Sequence, residues 1–252
     1  STVRREMKLV PALAGLFGYD AISRRKNHLQ LDRHLLHVLD KHAIDTVIDV
    51  GANAGQFSLR LRAAGFSGRI EAFEPIPAMA HALAERFAAD RLFTAHSCGL
   101  AEQDDVMELN ILAGSDFSSF LKTNEKSEQY FPHRTGLKEI IKVPVRRLDG
   151  IEGIAGPDNR LLLKLDTQGF DLKVFSGATA LLPQIRAVLI ECSVIPLYEG
   201  TPGFIESLAV FKEAGFLPSG FFPVSRDKTT MAIIEFDCML VRGLAATQSL
   251  PA

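Results

Sequence analysis

The sequence predicts an α/β fold, a mostly parallel sheet with helices on both faces. Three observations predict it. Short β-branched runs alternate with helical stretches from residue 45 to residue 100, and again from residue 160 to residue 215. The run RLLLKLD (160–166) has the near-continuous apolar character of a strand buried on both sides. The chain then closes on two β-rich runs placed back to back, as an antiparallel pair requires. With 252 residues and 47% hydrophobic content, there is enough chain to bury a sizeable core.

The elements follow in order. RREMKLVPALAGLFG (4–18) sets basic residues before an apolar run too short to span a bilayer, so an amphipathic helix packed on the body is expected, with a membrane surface as the alternative. LQLDRHLLHVLDKH (29–42) places Leu31, Leu35, Val38 and Leu39 at helical spacing. DTVIDVGA (45–52) is a strand closed by glycine, and GQFSLRLRAAG (55–65) a helix stopped by Gly65. GRIEAFEP (68–75) is a second strand, PAMAHALAERFAAD (77–90) a helix with proline in its first turn, and RLFTAHSCGL (91–100) a third strand. The alternation then breaks. DVMELNIL (105–112) and EIIKVPVRRL (139–148) read as strands around a polar stretch, 113–136, of the kind that forms a functional loop or lid. After 160–166 come a helical piece (171–182), the strand AVLIECSV (187–194), the helix 203–215 and the closing pair. The organisation expected is an N-terminal helical segment (1–44), a main domain (45–243) with an inserted region at about 105–148, and a tail (244–252).

Twenty-eight basic and 30 acidic residues nearly cancel, so no broad basic field points to nucleic acid. Cys98, Cys192 and Cys238 are odd in number and far apart, which excludes a disulfide framework or a CxxC metal site and suits a cytoplasmic protein. His34, His37 and His42 are expected on a solvated helix face rather than around a metal.

The stretch TVIDVGANAGQF (46–57) carries most of the functional information. A strand, a glycine turn and a helix form a nucleotide or anion site, because glycine lets the backbone approach the ligand and the helix start offers unpaired N–H groups. Gly51, Asn53 and Gly55 do not make the dinucleotide fingerprint, and no lysine follows as in a P-loop. Asp49, just before the turn, would repel pyrophosphate and welcome an amine. S-adenosylmethionine fits: it carries an amine, a positive sulfonium and a ribose, and no phosphate. Glu74 ends the second strand 19 residues past Gly55, where a ribose-hydroxyl ligand is expected.

DVGANAGQFS with FEP, followed by HSCGLAEQDD, SSF, VPVRRLD and LLLKLDTQGFDLKVFSGATALL, resembles the FkbM family of S-adenosylmethionine-dependent methyltransferases over most of the chain. The resemblance implies the class I methyltransferase fold, a seven-stranded, Rossmann-like sheet whose last strand is antiparallel. It implies methylation of oxygen, commonly hydroxyls of sugars, glycolipids or secondary metabolites. It would place Asp49, Gly51, Asn53 and Gly55 along the methionyl side, Glu74 at the ribose, and Ser97, Cys98 and Gly99 near the adenine. Asp166 matches the aspartate of the family's D-x-E-G element. Gln168 stands where that element has glutamate; it keeps hydrogen-bonding capacity but cannot act as a base.

A sugar hydroxyl is a poor nucleophile, so a positioned base should help. Asp166, at a strand end beside the crevice, is the first candidate, with Glu191 and His133 as others. Glu191 and Asp166 around Mg²⁺ would be an alternative, which two carboxylates alone do not favour. Ser118, Ser119 and Gln168 are candidates for acceptor contact, and YFPHR (130–134) offers either an aromatic wall or lid anchors. The reading is an O-methyltransferase. N- or carboxyl-methylation of a small molecule, and a nicotinamide-dependent oxidoreductase on the same sheet topology, are the alternatives. The sequence does not name the acceptor or the oligomeric state.

Overall fold

The computed structural model describes residues 30–243. The expected helix in 4–18 and the tail 244–252 lie outside them. Helix α1 (Leu31–Lys41) leads into strand β1 (Thr46–Val50), α2 (Gln56–Ala63), β2 (Arg69–Phe73), α3 (Pro77–Arg86) and β3 (Phe93–His96). β4 (Gly99–Leu100), β5 (Asp105–Leu112), α4 (Glu125–Tyr130) and β6 (Leu137–Arg146) follow. The chain continues through β7 (Leu161–Leu165), α5 (Asp171–Ser176), β8 (Ile185–Ser193), α6 (Phe204–Glu213), β9 (Phe216–Arg226) and β10 (Ile233–Arg242).

Seven strands form one sheet in the order β3-β2-β1-β7-β8-β10-β9. β1 runs parallel to β2 and β7, and β7 parallel to β8, while β10 is antiparallel to both β8 and β9. This is the class I methyltransferase arrangement. The strand order reverses between β1 and β7, which opens a crevice beyond their carboxyl ends.

Strict alternation along the central strands explains the two covered faces. Val47, Ile70, Leu162, Ala187 and Met239 point to one side and pack with Leu35, Val38 and Leu39 of α1 and Phe57 and Leu61 of α2. Ile48, Leu161, Leu163, Val188, Ile190 and Leu240 point to the other and meet Val174 and Phe175 of α5 and Phe211 of α6. α1 thus belongs to the packed body. His34 leaves the expected solvated face: its Nε2 is 2.9 Å from Ser219 Oγ, and its ring lies 5.5 Å from that of Phe222. No described helix is long and apolar enough to cross a membrane.

Two expectations need correction. The third strand does not run through residue 100. It stops at His96, and Gly99–Leu100 pairs instead with β6 in a separate three-stranded sheet, β4-β6-β5. Gly99 permits the crossing, since a Cβ there would sit 2.6 Å from Phe120. The stretch 113–136 is also less irregular than its composition predicts. It holds a 3₁₀ turn at Ser115–Phe117 and the short helix α4, capped by Asn124 and Ser127 in a reciprocal box.

Candidate active site

The crevice at the strand ends is a cavity of about 300 Å³. One wall is the turn after β1. Gly51 has φ +73°, Asn53 +50° and Gly55 +80°, so three of five consecutive residues adopt left-handed backbone. A Cβ on Gly51 would lie 2.0 Å from the Asp166 carbonyl oxygen, so only glycine fits against β7. The N–H groups of Gly51 and Ala52 both donate to the Phe73 carbonyl at the end of β2, which fixes the turn.

Glu74 continues from β2 into this wall and is buried. Its Oε2 accepts from the Asn53 N–H at 2.8 Å and its Oε1 from the Ile76 N–H at 2.9 Å. Burial raises its pKa, and the two backbone donors oppose that rise. Cys98, Gly99 and Leu100 form the adjoining wall, and Phe73, stacked on His96 at 4.4 Å, supports it.

Asp49, expected to meet the ligand amine, does not line the cavity. It is a residue of β1 and is fully buried. Its Oδ1 is 3.0 Å from Lys164 Nζ, and its Oδ2 accepts from Ser58 Oγ at 2.9 Å. Lys164 stands directly opposite on β7. The ammonium also lies 3.4 Å from Asp166 and donates to the carbonyls of Val50 and Gly51 at 3.3 and 3.1 Å. Burial pushes this lysine down, but the Asp49 and Asp166 carboxylates outweigh it and hold the ammonium well above its ordinary range. Sequence reading missed Lys164, although a lysine inside RLLLKLD was a signal: a charge in a fully buried strand needs a counter-ion.

The far side of the cavity lies beyond β7. Asp166, Thr167 and Gln168 line it from below, and Ser115, Asp116, Ser118, Ser119 and Phe120 from the inserted region. Asp166 is half-exposed there. Gln168 Nε2 is 3.1 Å from Asp166 Oδ1 and 3.2 Å from Glu191 Oε1. Ser119 Oγ donates to the Gln168 carbonyl at 2.9 Å, and Ser118 Oγ accepts from the Leu112 N–H at 3.2 Å. Asp237 and Arg60, neither expected from the sequence, complete the lining. Asp237 faces Glu191 across β10 and β8, and burial together with Asp166 pushes it up to about 7.

Four further residues expected at the site lie off the cavity wall. Glu191 is half-buried and does not line the cavity; desolvation, with Asp166, Glu235 and Asp237 nearby, raises its pKa well above its ordinary value. The Gln168 amide nitrogen lies between Glu191 and Asp166, so a cation bridging them would have to displace it. His133 is exposed, away from the cavity, at φ +69°. Its neighbours anchor the inserted region instead: Arg134 pairs with Asp116 at 2.7 Å and lies over Phe117, against which Phe131 also packs. Ser97 is exposed and outside the cavity, because β3 has already ended. Gly55 serves helix packing; a Cβ there would meet Leu83 at 2.6 Å and Phe87 at 2.9 Å. Among the described residues no group of three or more His, Cys, Asp or Glu side chains could hold a metal ion.

The sheet order, the glycine turn and an acid at the end of β2 together define a class I methyltransferase. A family model, the methyltransferase FkbM domain, matches residues 49–218. The chain belongs to that family and is a methyltransferase. Among curated relatives, Methyltransferase 1 of Beauveria bassiana is 27% identical over 68% of this chain and 71% of its own. Methyltransferase sdnD of Sordaria araneosa is 24% identical over 78% of this chain and 80% of its own. Solved structures include an rRNA methylase from Streptococcus thermophilus, with 11% identity, TM-score 0.42, and coverage of 85% of this chain and 98% of that one. Another is the N-terminal domain of human METTL16 in complex with SAH, with 8% identity, TM-score 0.45, and coverage of 84% and 69%.

Proposed function

We propose that the chain moves a methyl group from S-adenosylmethionine to a hydroxyl oxygen of a sugar, glycolipid or secondary metabolite. One observation carries the cofactor assignment. The wall between the glycine turn and Glu74 offers a buried carboxylate and a tightly curved backbone, while the nearby ammonium of Lys164 is already engaged by Asp49 and Asp166. Such a wall suits a cationic, phosphate-free nucleoside and is ill matched to a pyrophosphate. That also argues against the nicotinamide-dependent alternative.

In this reading Glu74 accepts from the ribose hydroxyls with its remaining lone pairs, since each oxygen already takes one backbone N–H. Gly51 and Asn53 run along the methionyl portion, and Cys98 and Gly99 border the adenine. When bound, S-adenosylmethionine supplies a methyl group on a positively charged sulfur. Asp166 accepts the proton of the attacking hydroxyl, and Lys164, 3.4 Å away, helps to hold the carboxylate in place. Ser118, Ser119 and Gln168 contact or shape the acceptor. Asp116, Asp166 and Asp237 line this side, and Arg60 is bound to Asp32 at 2.6 Å. A neutral hydroxyl enters such a wall at lower cost than a carboxylate or phosphate.

Calorimetry should show S-adenosylhomocysteine binding and no NAD binding, with Glu74→Gln weakening the former about tenfold, for lost charge-assisted hydrogen bonds. Tritium from methyl-labelled S-adenosylmethionine should pass to members of a glycoside panel and not to carboxylic acids. NAD binding, or labelling of the acids alone, would discard the proposal.

A further inference from the structure

Gln168 is where three segments of the fold meet. Its backbone lies at φ +54°, and its carbonyl accepts from Ser119 Oγ in the inserted region. Its side-chain nitrogen faces Asp166 and Glu191. Its side-chain oxygen is 2.9 Å from the hydroxyl of Tyr198, which follows β8 and also lies 2.8 Å from the Phe117 carbonyl. Tyr198 is buried and does not line the cavity.

A terminal amide can sit either way round, and its neighbours choose the orientation. Asp166 is ion-paired with Lys164, so its carboxylate only accepts. It therefore selects the nitrogen. Glu191, once protonated, accepts or donates and selects neither end. The amide oxygen is then left facing Tyr198, whose single hydroxyl proton is shared between it at 2.9 Å and the Phe117 carbonyl at 2.8 Å. Turned over, the amide would set its oxygen against the Asp166 carboxylate, where two acceptors repel.

We infer that Tyr198 is a positioning residue for methyl transfer: its hydroxyl holds the Gln168 side-chain amide oxygen so that the amide nitrogen fixes the Asp166 carboxylate toward the acceptor. This rests on the reading of Asp166 as the group that takes the acceptor's proton. Among the described residues the Asp166 carboxylate has one other close partner, the ammonium at 3.4 Å, so the amide supplies the directional contact. The same hydroxyl reaches Phe117, so the inserted region and the proton-accepting carboxylate share one anchor.

Side-chain amide NMR of the full chain, glutamine labelled with ¹⁵N and saturated with S-adenosylhomocysteine, tests the inference without any acceptor. Loss of one cross-peak pair in Gln168→Met assigns Gln168. In the unmodified protein its two amide protons should give no NOE to the Tyr198 ring protons beside the hydroxyl. A strong NOE means the nitrogen faces Tyr198 and overturns the inference. In Tyr198→Phe the Gln168 pair should shift and broaden, with affinity for S-adenosylhomocysteine within about twofold of the original, because Tyr198 lies off the cavity wall. An unmoved pair overturns it. Tritium transfer to a glycoside from the panel should fall about tenfold in kcat, with the KM for S-adenosylmethionine unchanged, as expected for a misdirected base. The same substitution in Gln168→Met should add nothing further; an equal fall in both backgrounds would mean that Tyr198 acts independently of Gln168. Failure of the unmodified protein to bind S-adenosylhomocysteine would sink the proposed function instead, and the NOE would still be readable.

Discussion

Lys164→Met is the most informative perturbation of the site's foundation. Asp49 is fully buried, and the Lys164 side chain is only 8% exposed, with its ammonium 3.0 Å from Asp49 Oδ1. Removing the ammonium leaves Asp49 with Ser58 Oγ as its remaining side-chain partner. It also removes the donor to the Val50 and Gly51 carbonyls. Breaking a buried pair from one side costs about 3–5 kcal/mol, because an uncompensated charge stays in the interior. That is a large fraction of a domain's total stability of about 5–15 kcal/mol. With a urea m value near ~3 kcal/mol/M, the midpoint should fall by about 1–1.7 M with m unchanged. Asp49→Asn combined with Lys164→Met should recover at least about half of the loss, since no bare charge remains. A single variant within about 1 kcal/mol of the original would refute the claim that Lys164 neutralises a desolvated aspartate, as would a double variant no better than the single.

Three further outcomes are expected. Gly51→Ala should cost more than about 3 kcal/mol in urea unfolding and abolish S-adenosylhomocysteine binding in calorimetry, because left-handed backbone and a Cβ 2.0 Å from the Asp166 carbonyl oxygen combine; a variant that binds normally would contradict that geometry. Burial raises Asp171 to about 6, and Glu235 and Asp237 to about 7. Their folded pKa values exceed the unfolded ones, so the stability they contribute is present below about pH 4 and is lost as pH rises through about 6–7. Urea midpoints should therefore decline across about pH 4–7, and Asp237→Asn should flatten the decline; a midpoint that rises throughout would contradict the burial of these acids. Gln168→Glu should exchange a double donor for a third acid beside Asp166 and Glu191, costing about 2 kcal/mol at pH 8 and less at pH 5 by urea unfolding, with equal cost at both pH values counting against the arrangement.

Much of the fold was legible because its signals are local. Alternating strands and helices, the glycine turn after β1 and the closing antiparallel pair each depend on residues close in sequence, and the residues of the turn fixed its left-handed backbone. The inserted region was legible as a break in that rhythm. Its short helix was not, because α4 is six residues of polar sequence, held by the Asn124 and Ser127 cap rather than by an apolar face. His133 and Ser97 looked like site residues by position alone, and the chain turns both outward.

The amino-acid sequence by itself determined that strand ends would gather acids around a glycine turn, because pattern and spacing decide where strands stop. Tertiary structure alone decided which acids face the cavity. Asp49 is withdrawn from it by a lysine on the neighbouring strand, while Asp166 stays at its edge and Asp237 arrives from the antiparallel strand. A carboxylate's role follows from which charge neutralises it and how much water reaches it, and both depend on residues that only folding brings together.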